Sequence, residues 1–139
     1  MRIERFEDII AWQKAKELSV SVYSVFKDNK DYSFRDQIRR ASVSIMNNIA
    51  EGFEREGRLE FNQFLSIAKG SLGETKSQLY RSYDRKYISE DVLNKFVPAV
   101  EDLSRRIFNT MEYLKNSDIR GIKYKSQVNE AYEIYANES

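Results

Sequence analysis

The sequence predicts an all-α protein, an antiparallel up-and-down four-helix bundle, and three observations predict it. Chain breakers are nearly absent, with 5 glycines and 1 proline in 139 residues, so the turn chemistry of sandwiches, barrels and wound sheets is missing. Four long segments carry apolar residues at helical spacing. The breaks between them are short and polar, which makes consecutive helices antiparallel neighbours. A hydrophobic content of 41% over this length supports one core, placed over residues 1–117, with residues 118–139 a polar tail.

The first helix is expected from Phe6 to Phe26, on a stripe of Ile9, Ile10, Trp12, Ala15, Leu18, Val22, Val25 and Phe26. The break "KDNKDYS" ends it. The second runs from Phe34 to Phe53, entered through Ser33 with Asp36 three residues on as a capping pair. Phe34, Ile38, Ala41, Ile45, Asn48 and Gly52 step by four and three, so the pattern puts Asn48 in the seam and Ile49 beside it.

The third helix, Leu59 to Lys86, repeats most regularly, through Phe61, Leu65, Ala68, Leu72, Thr75, Leu79 and Ser82. Gly70 and Gly73 interrupt its centre. Each costs about 1 kcal/mol relative to alanine inside a helix, which predicts a close neighbour there. The fourth starts at Ser89, with Glu90 and Asp91 in its first turn, and repeats through Val92, Phe96, Val100, Leu103, Ile107, Met111 and Leu114. Pro98 predicts a local kink. In the tail, "SQVNEAYEIYANE" reads as a short extra helix or an arm that orders against a partner.

Composition removes several functions. The absence of cysteine excludes disulfides, thiolate metal sites and a thiol nucleophile. The absence of histidine removes the usual zinc ligand, the Glu-x-x-His pair of di-iron bundles and the commonest acid/base catalyst near neutral pH. Carboxylate-only magnesium chemistry passes that test, with Glu51, Glu74 and Asn48 as its ligands. The competing reading is structural, in which Asn47, Asn48, Glu51, Ser71 and Glu74 hydrogen-bond across helices or between subunits. It is preferred because two carboxylates and no histidine make a thin metal shell. No catalytic residue, metal or cofactor is assigned, and the protein is expected not to be an enzyme.

A charged N-terminus and the lack of an apolar run near 18 residues predict a cytoplasmic protein with no membrane contact. The net charge is +1, so any polyanion must be met by a local patch. The third helix supplies Lys69, Lys76, Arg81, Arg85 and Lys86 against Glu74 and Asp84, and the second adds Arg35, Arg39 and Arg40. With Tyr80, Tyr83 and Tyr87 interleaved, these eight basic residues are the candidate phosphate contacts. The other reading of this stripe is a solvated helix face. The aromatic surplus, 9 Tyr and 8 Phe beside 1 Trp, exceeds what a slim bundle holds inside and predicts a surface that meets another subunit.

Three stretches in order, "FEDIIAWQKAKEL", "QIRRASVSIMNNIAEG" and "FLSIAKGSLGETKSQL", resemble the four-helix bundle proteins encoded within intervening sequences of bacterial 23S ribosomal RNA genes. The resemblance spans about residues 5–115. It implies a small bacterial bundle that assembles as a ring-like homopentamer. The accessory protein of diversity-generating retroelements is similar in fold, and by that likeness the implied partners are RNA or DNA, or a protein such as a reverse transcriptase. No catalytic residues carry over. On this resemblance Gly52 ends the second helix as a left-handed stop and Ala50 permits close helix approach. The alternative function is a structural or protein-interaction module that binds no nucleic acid.

Overall fold

The computed structural model describes residues 4–116, so the tail at 118–139 lies outside the described residues. A 3-10 turn at Phe6–Asp8 leads into α1 (Ile10–Phe26), α2 (Tyr32–Glu54), α3 (Arg58–Asp84) and α4 (Glu90–Lys115). Each helix packs on the next, and α1 closes against α4, so the molecule is an up-and-down bundle. All buried apolar side chains of note form one core: Ala15, Val22 and Phe26 from α1, Ile38, Ile45 and Ile49 from α2, Leu65, Leu72 and Leu79 from α3, and Val100 and Ile107 from α4.

Burying such side chains is the main drive for assembly, at roughly 25 cal/mol for each Å² of apolar surface removed from water. The stripe of α2 departs from the strict seven-residue rhythm. Ile49 is fully buried and Asn48 sits half-buried on the flank. A straight α-helix drifts about 20° per heptad away from a 3.5-residue repeat, and here the stripe follows the 3.6-residue period of the helix. Val25 differs too: it is exposed, beside a groove between α1 and α4 of about 420 Å³ that Leu18, Val92 and Phe96 also line.

Helix ends were less legible than helix bodies. The helix proper begins at Ile10, after Ile9 in an extended conformation, and not at Phe6. The N-cap of α2 is Asp31, whose Oδ1 accepts from the Phe34 amide at 3.2 Å, so the helix starts two residues before the expected Phe34 and Ser33 lies inside it. Ser89 caps α4 as expected, its Oγ accepting from the Val92 amide at 3.2 Å. That helix is continuous through Pro98, which lies on the exposed side, where water can serve the carbonyl it leaves without a donor.

Within the subunit the close approach falls at a different glycine from the pair expected. Gly52 is inside α2, which runs on to Glu54, and is no left-handed stop. A Cβ added there would sit 2.7 Å from the Cβ of Phe64 and 3.1 Å from Cδ1 of Phe61 on α3. Gly70 and Gly73, read as points of close packing, have nothing of their own subunit within 4 Å of such an atom among the described residues.

The end of α3 is closed by a residue that sequence gave no reason to pick. Lys86 adopts φ 64°. Its amide donates to the Tyr83 carbonyl at 2.9 Å and the next amide, of Tyr87, reaches back to Ser82 at 2.8 Å. These two bonds make a Schellman motif with lysine at the left-handed position where glycine is usual. Relief of the Cβ clash outweighs the extra freedom of glycine in the unfolded chain. Lys86→Gly is therefore expected to stabilise the protein by about 0.5–1 kcal/mol, read as a higher urea midpoint at unchanged m-value.

Candidate nucleic-acid interface

Antiparallel packing collects side chains that are far apart in sequence. The C-terminus of α1, the N-terminus of α2, the C-terminus of α3 and the N-terminus of α4 share one end of the bundle. Phe34 anchors that end. Its ring meets Phe26 of α1 edge-on at 5.2 Å, Tyr87 at the same distance, and the guanidinium of Arg81 at 5.6 Å.

Asp31 ties the chain segments there. Its Oδ2 accepts from the Tyr87 hydroxyl at 2.7 Å and lies 3.5 Å from Nη1 of Arg85. The Tyr87 hydroxyl first, then the Phe34 amide, hold its carboxyl below the usual range; partial burial opposes them, and the charges of Arg85 and Arg81 add to them. Arg85 is pushed above its ordinary value, chiefly by Tyr87.

Arg35, Arg39, Arg40, Arg81, Arg85 and Lys86 all fall at or near this end, together with Tyr23, Tyr32, Tyr80, Tyr83 and Tyr87. Arg39 lies over the ring of Tyr23, 4.3 Å from its centroid, and Arg35 over Tyr32 at 4.7 Å. Among the described residues no carboxylate pairs with Arg35, Arg39 or Arg40. Arg35 donates to the Lys27 carbonyl at a long 3.4 Å. Arg39 and Arg40 also border a shallow depression along α2 with Val43, Ser44, Asn47 and Asn48.

Lys69 and Lys76 are elsewhere. They face α4 across a groove that also takes in Leu72, Val100 and Phe108. Lys69 sits over the Phe108 ring at 4.9 Å, and Lys76 reaches Glu101 at 3.3 Å. The basic stripe from Lys69 to Lys86 is thus met in part by carboxylates of neighbouring elements, Glu101 for Lys76 and Asp31 for Arg85. Such exposed pairs are worth little to stability, but they lower the local potential.

The polar residues of α2 and α3 meet in register. Gln78 donates to Gln37 at 3.3 Å, and the hydroxyls of Ser44 and Ser71 share a hydrogen bond of 2.8 Å. Asn48 donates to the Ser44 carbonyl and hydroxyl at 2.8 and 3.0 Å, and Thr75 to the Ser71 carbonyl at 2.9 Å. Glu51 pairs with Arg55 of its own helix at 3.1 Å, and Asn47 and Glu74 are exposed. Among the described residues no cluster of three carboxylates could hold a metal, and no helix is long and apolar enough to cross a membrane.

Sequence reasoning missed Tyr23 and Tyr32. The first is on a different helix from its arginine, so only packing joins them. The second stands three residues before Arg35, a spacing that does place two side chains on one helical face.

Residues 7–109 match the family model described as 23S rRNA-intervening sequence protein. The chain belongs to that family. The matched span takes in every basic candidate and stops short of the tail. No match was found among curated proteins. The intervening-sequence protein is also similar to a crystal structure from Bacteroides thetaiotaomicron VPI-5482, described as a protein with unknown function from the S23 ribosomal protein family. The two share 21% identity over 74% of this chain and 99% of the other, with a TM-score of 0.70. At that identity the likeness speaks for the shared bundle.

Proposed function

We propose that this intervening-sequence protein is a non-enzymatic bundle that binds RNA or DNA, free or held by a partner such as a reverse transcriptase, through the arginine- and tyrosine-rich end. The observation that carries this reading is the set Arg35, Arg39 and Arg40, three guanidiniums on α2 that have no carboxylate partner among the described residues, beside exposed tyrosines. Arginine forks match phosphate oxygens, and aromatic faces accept bases of any sequence. Lys69 and Lys76 are secondary, since the α3–α4 groove also presents Glu101. Assembly into a homo-oligomer, a pentamer by the family resemblance, repeats the patch once per subunit and gives a protein of net charge +1 a basic surface of useful size.

The test is a titration with short RNA and DNA strands at two salt concentrations. Arg35→Glu/Arg39→Glu/Arg40→Glu is expected to abolish binding. Lys69→Glu/Lys76→Glu is expected to weaken it several-fold. For the wild type, log affinity should fall linearly with log salt, by about 0.7 per phosphate contact on single strands. Absence of binding at low salt in the wild type would leave a module that docks proteins only.

A further inference from the structure

Two guanidinium–tyrosine contacts lie on one edge of the bundle, where α1 turns into α2. Arg35 and Arg39 are four residues apart on α2, so one helical turn, about 6 Å, separates them along the axis. Arg39 covers one face of Tyr23, across the interhelical line, and Arg35 covers one face of Tyr32. Both tyrosines remain exposed, Tyr23 at 58% and Tyr32 at 59%. The Nε atoms of both arginines are shut off from water and have no acceptor among the described residues. Their terminal amino groups, apart from the Arg35 Nη1 that reaches the Lys27 carbonyl, are what remains to contact a ligand.

This arrangement is poor at holding the bundle together. An exposed cation over an exposed ring is a weak stabiliser, and neither tyrosine adds to the core. It is well suited to a chain that offers, at short intervals, one flat apolar face and one negative charge. Each guanidinium already rests over its tyrosine ring, so less side-chain freedom is lost when it takes up a phosphate. Unpaired bases present such faces. The bases of a duplex are stacked on one another and present none.

We infer that the α1–α2 edge, with Tyr23, Tyr32, Arg35 and Arg39, is a stacking site for unpaired bases, and that the ligand class of the proposed nucleic-acid interface is single-stranded. The inference rests on the proposed function and narrows it. Arg40, exposed on the outer face of α2 one residue beyond Arg39, extends the phosphate path along that helix.

The experiment compares a fluorescent 12-nucleotide oligothymidine, the same backbone carrying abasic sites, and a duplex of equal length, by anisotropy at one fixed salt. The proteins are the wild type, Tyr23→Leu/Tyr32→Leu, Tyr23→Phe/Tyr32→Phe and Arg35→Glu/Arg39→Glu, each checked for an unchanged thermal transition. Stacking on one aromatic is worth about fivefold to more than a hundredfold in affinity. The leucine pair is therefore expected to lose at least tenfold for oligothymidine and nothing for the abasic strand or the duplex, while the phenylalanine pair binds as the wild type does. Equal wild-type affinity for oligothymidine and the abasic strand, a preference for duplex, or a leucine pair that binds normally while the glutamate pair does not, would overturn the stacking site and leave phosphate binding standing. Failure of the wild type to bind any of the three probes would remove the proposed function itself.

Discussion

Phe34→Ala is expected to destabilise the protein by about 3–5 kcal/mol, the range for emptying a fully buried aromatic site. Phe34 is 1% exposed and joins the elements at one end of the bundle. Its ring meets Phe26 of α1 and Tyr87 of the α3–α4 connection, and Arg81 of α3 stands over it. Truncation removes the transfer energy of the ring and both aromatic contacts, and the cavity it leaves is bounded by rings that cannot all close on one another. Against a total stability of about 5–15 kcal/mol for a native domain, that is a large fraction. Thermal melting should show a drop on the order of 10–20 °C. A fall of only a few degrees would mean that the neighbouring rings collapse into the space and that this end is not rigid.

Gly52→Val is expected to cost about 3 kcal/mol, and here two effects of opposite sign must be weighed. Replacing a helical glycine by valine recovers only about 0.3–0.5 kcal/mol of propensity, since valine carries a penalty of its own. Against this, the new Cβ meets the Cβ of Phe64 at 2.7 Å, an atom fixed by its own backbone, so α2 and α3 must move apart. Overpacking of that kind costs about 1–3 kcal/mol before the two γ-methyls of valine are placed. Overpacking wins. Gly70→Ala makes the control, because nothing lies within 4 Å of the added atom and only the propensity term remains. It should stabilise by up to about 1 kcal/mol. Urea denaturation of both variants checks the pair, and a Gly52→Val protein as stable as the wild type would show that the helices slide apart freely.

The bodies of the helices could be read from sequence because an amphipathic helix repeats its message every turn. From Phe61 to Ser82 every position of the predicted stripe of α3 is buried. Their ends carry the message only once. Asp31 and Ser33 are both good capping residues, and which of them caps α2 depends on where the loop delivers the chain, here under the hydroxyl of Tyr87. Lys86 in a left-handed conformation breaks the usual preference for glycine, so no reading by residue type finds it.

The candidate interface was half legible. Charge and residue type singled out the eight basic side chains. Their grouping depended on neighbours from other helices: Glu101 answers Lys76 from α4, Asp31 answers Arg85 from the start of α2, and Tyr23 receives Arg39 from α1. None of these relations has a spacing in sequence, because loop lengths and helix register set them together.

By itself, then, the sequence of this family member determined four amphipathic helices, their antiparallel order and the polar lines that run beside their seams, since periodicity and short connections are local properties. Only the tertiary structure decided which lines meet. Gln37 and Gln78, Ser44 and Ser71 pair because α2 and α3 dock in one register. That same docking presses Gly52 against Phe64 and leaves Gly70 open. A glycine, a cation or an asparagine carries the same intrinsic cost wherever it stands in a helix. Its role is set by the atoms that another helix brings within a few ångströms.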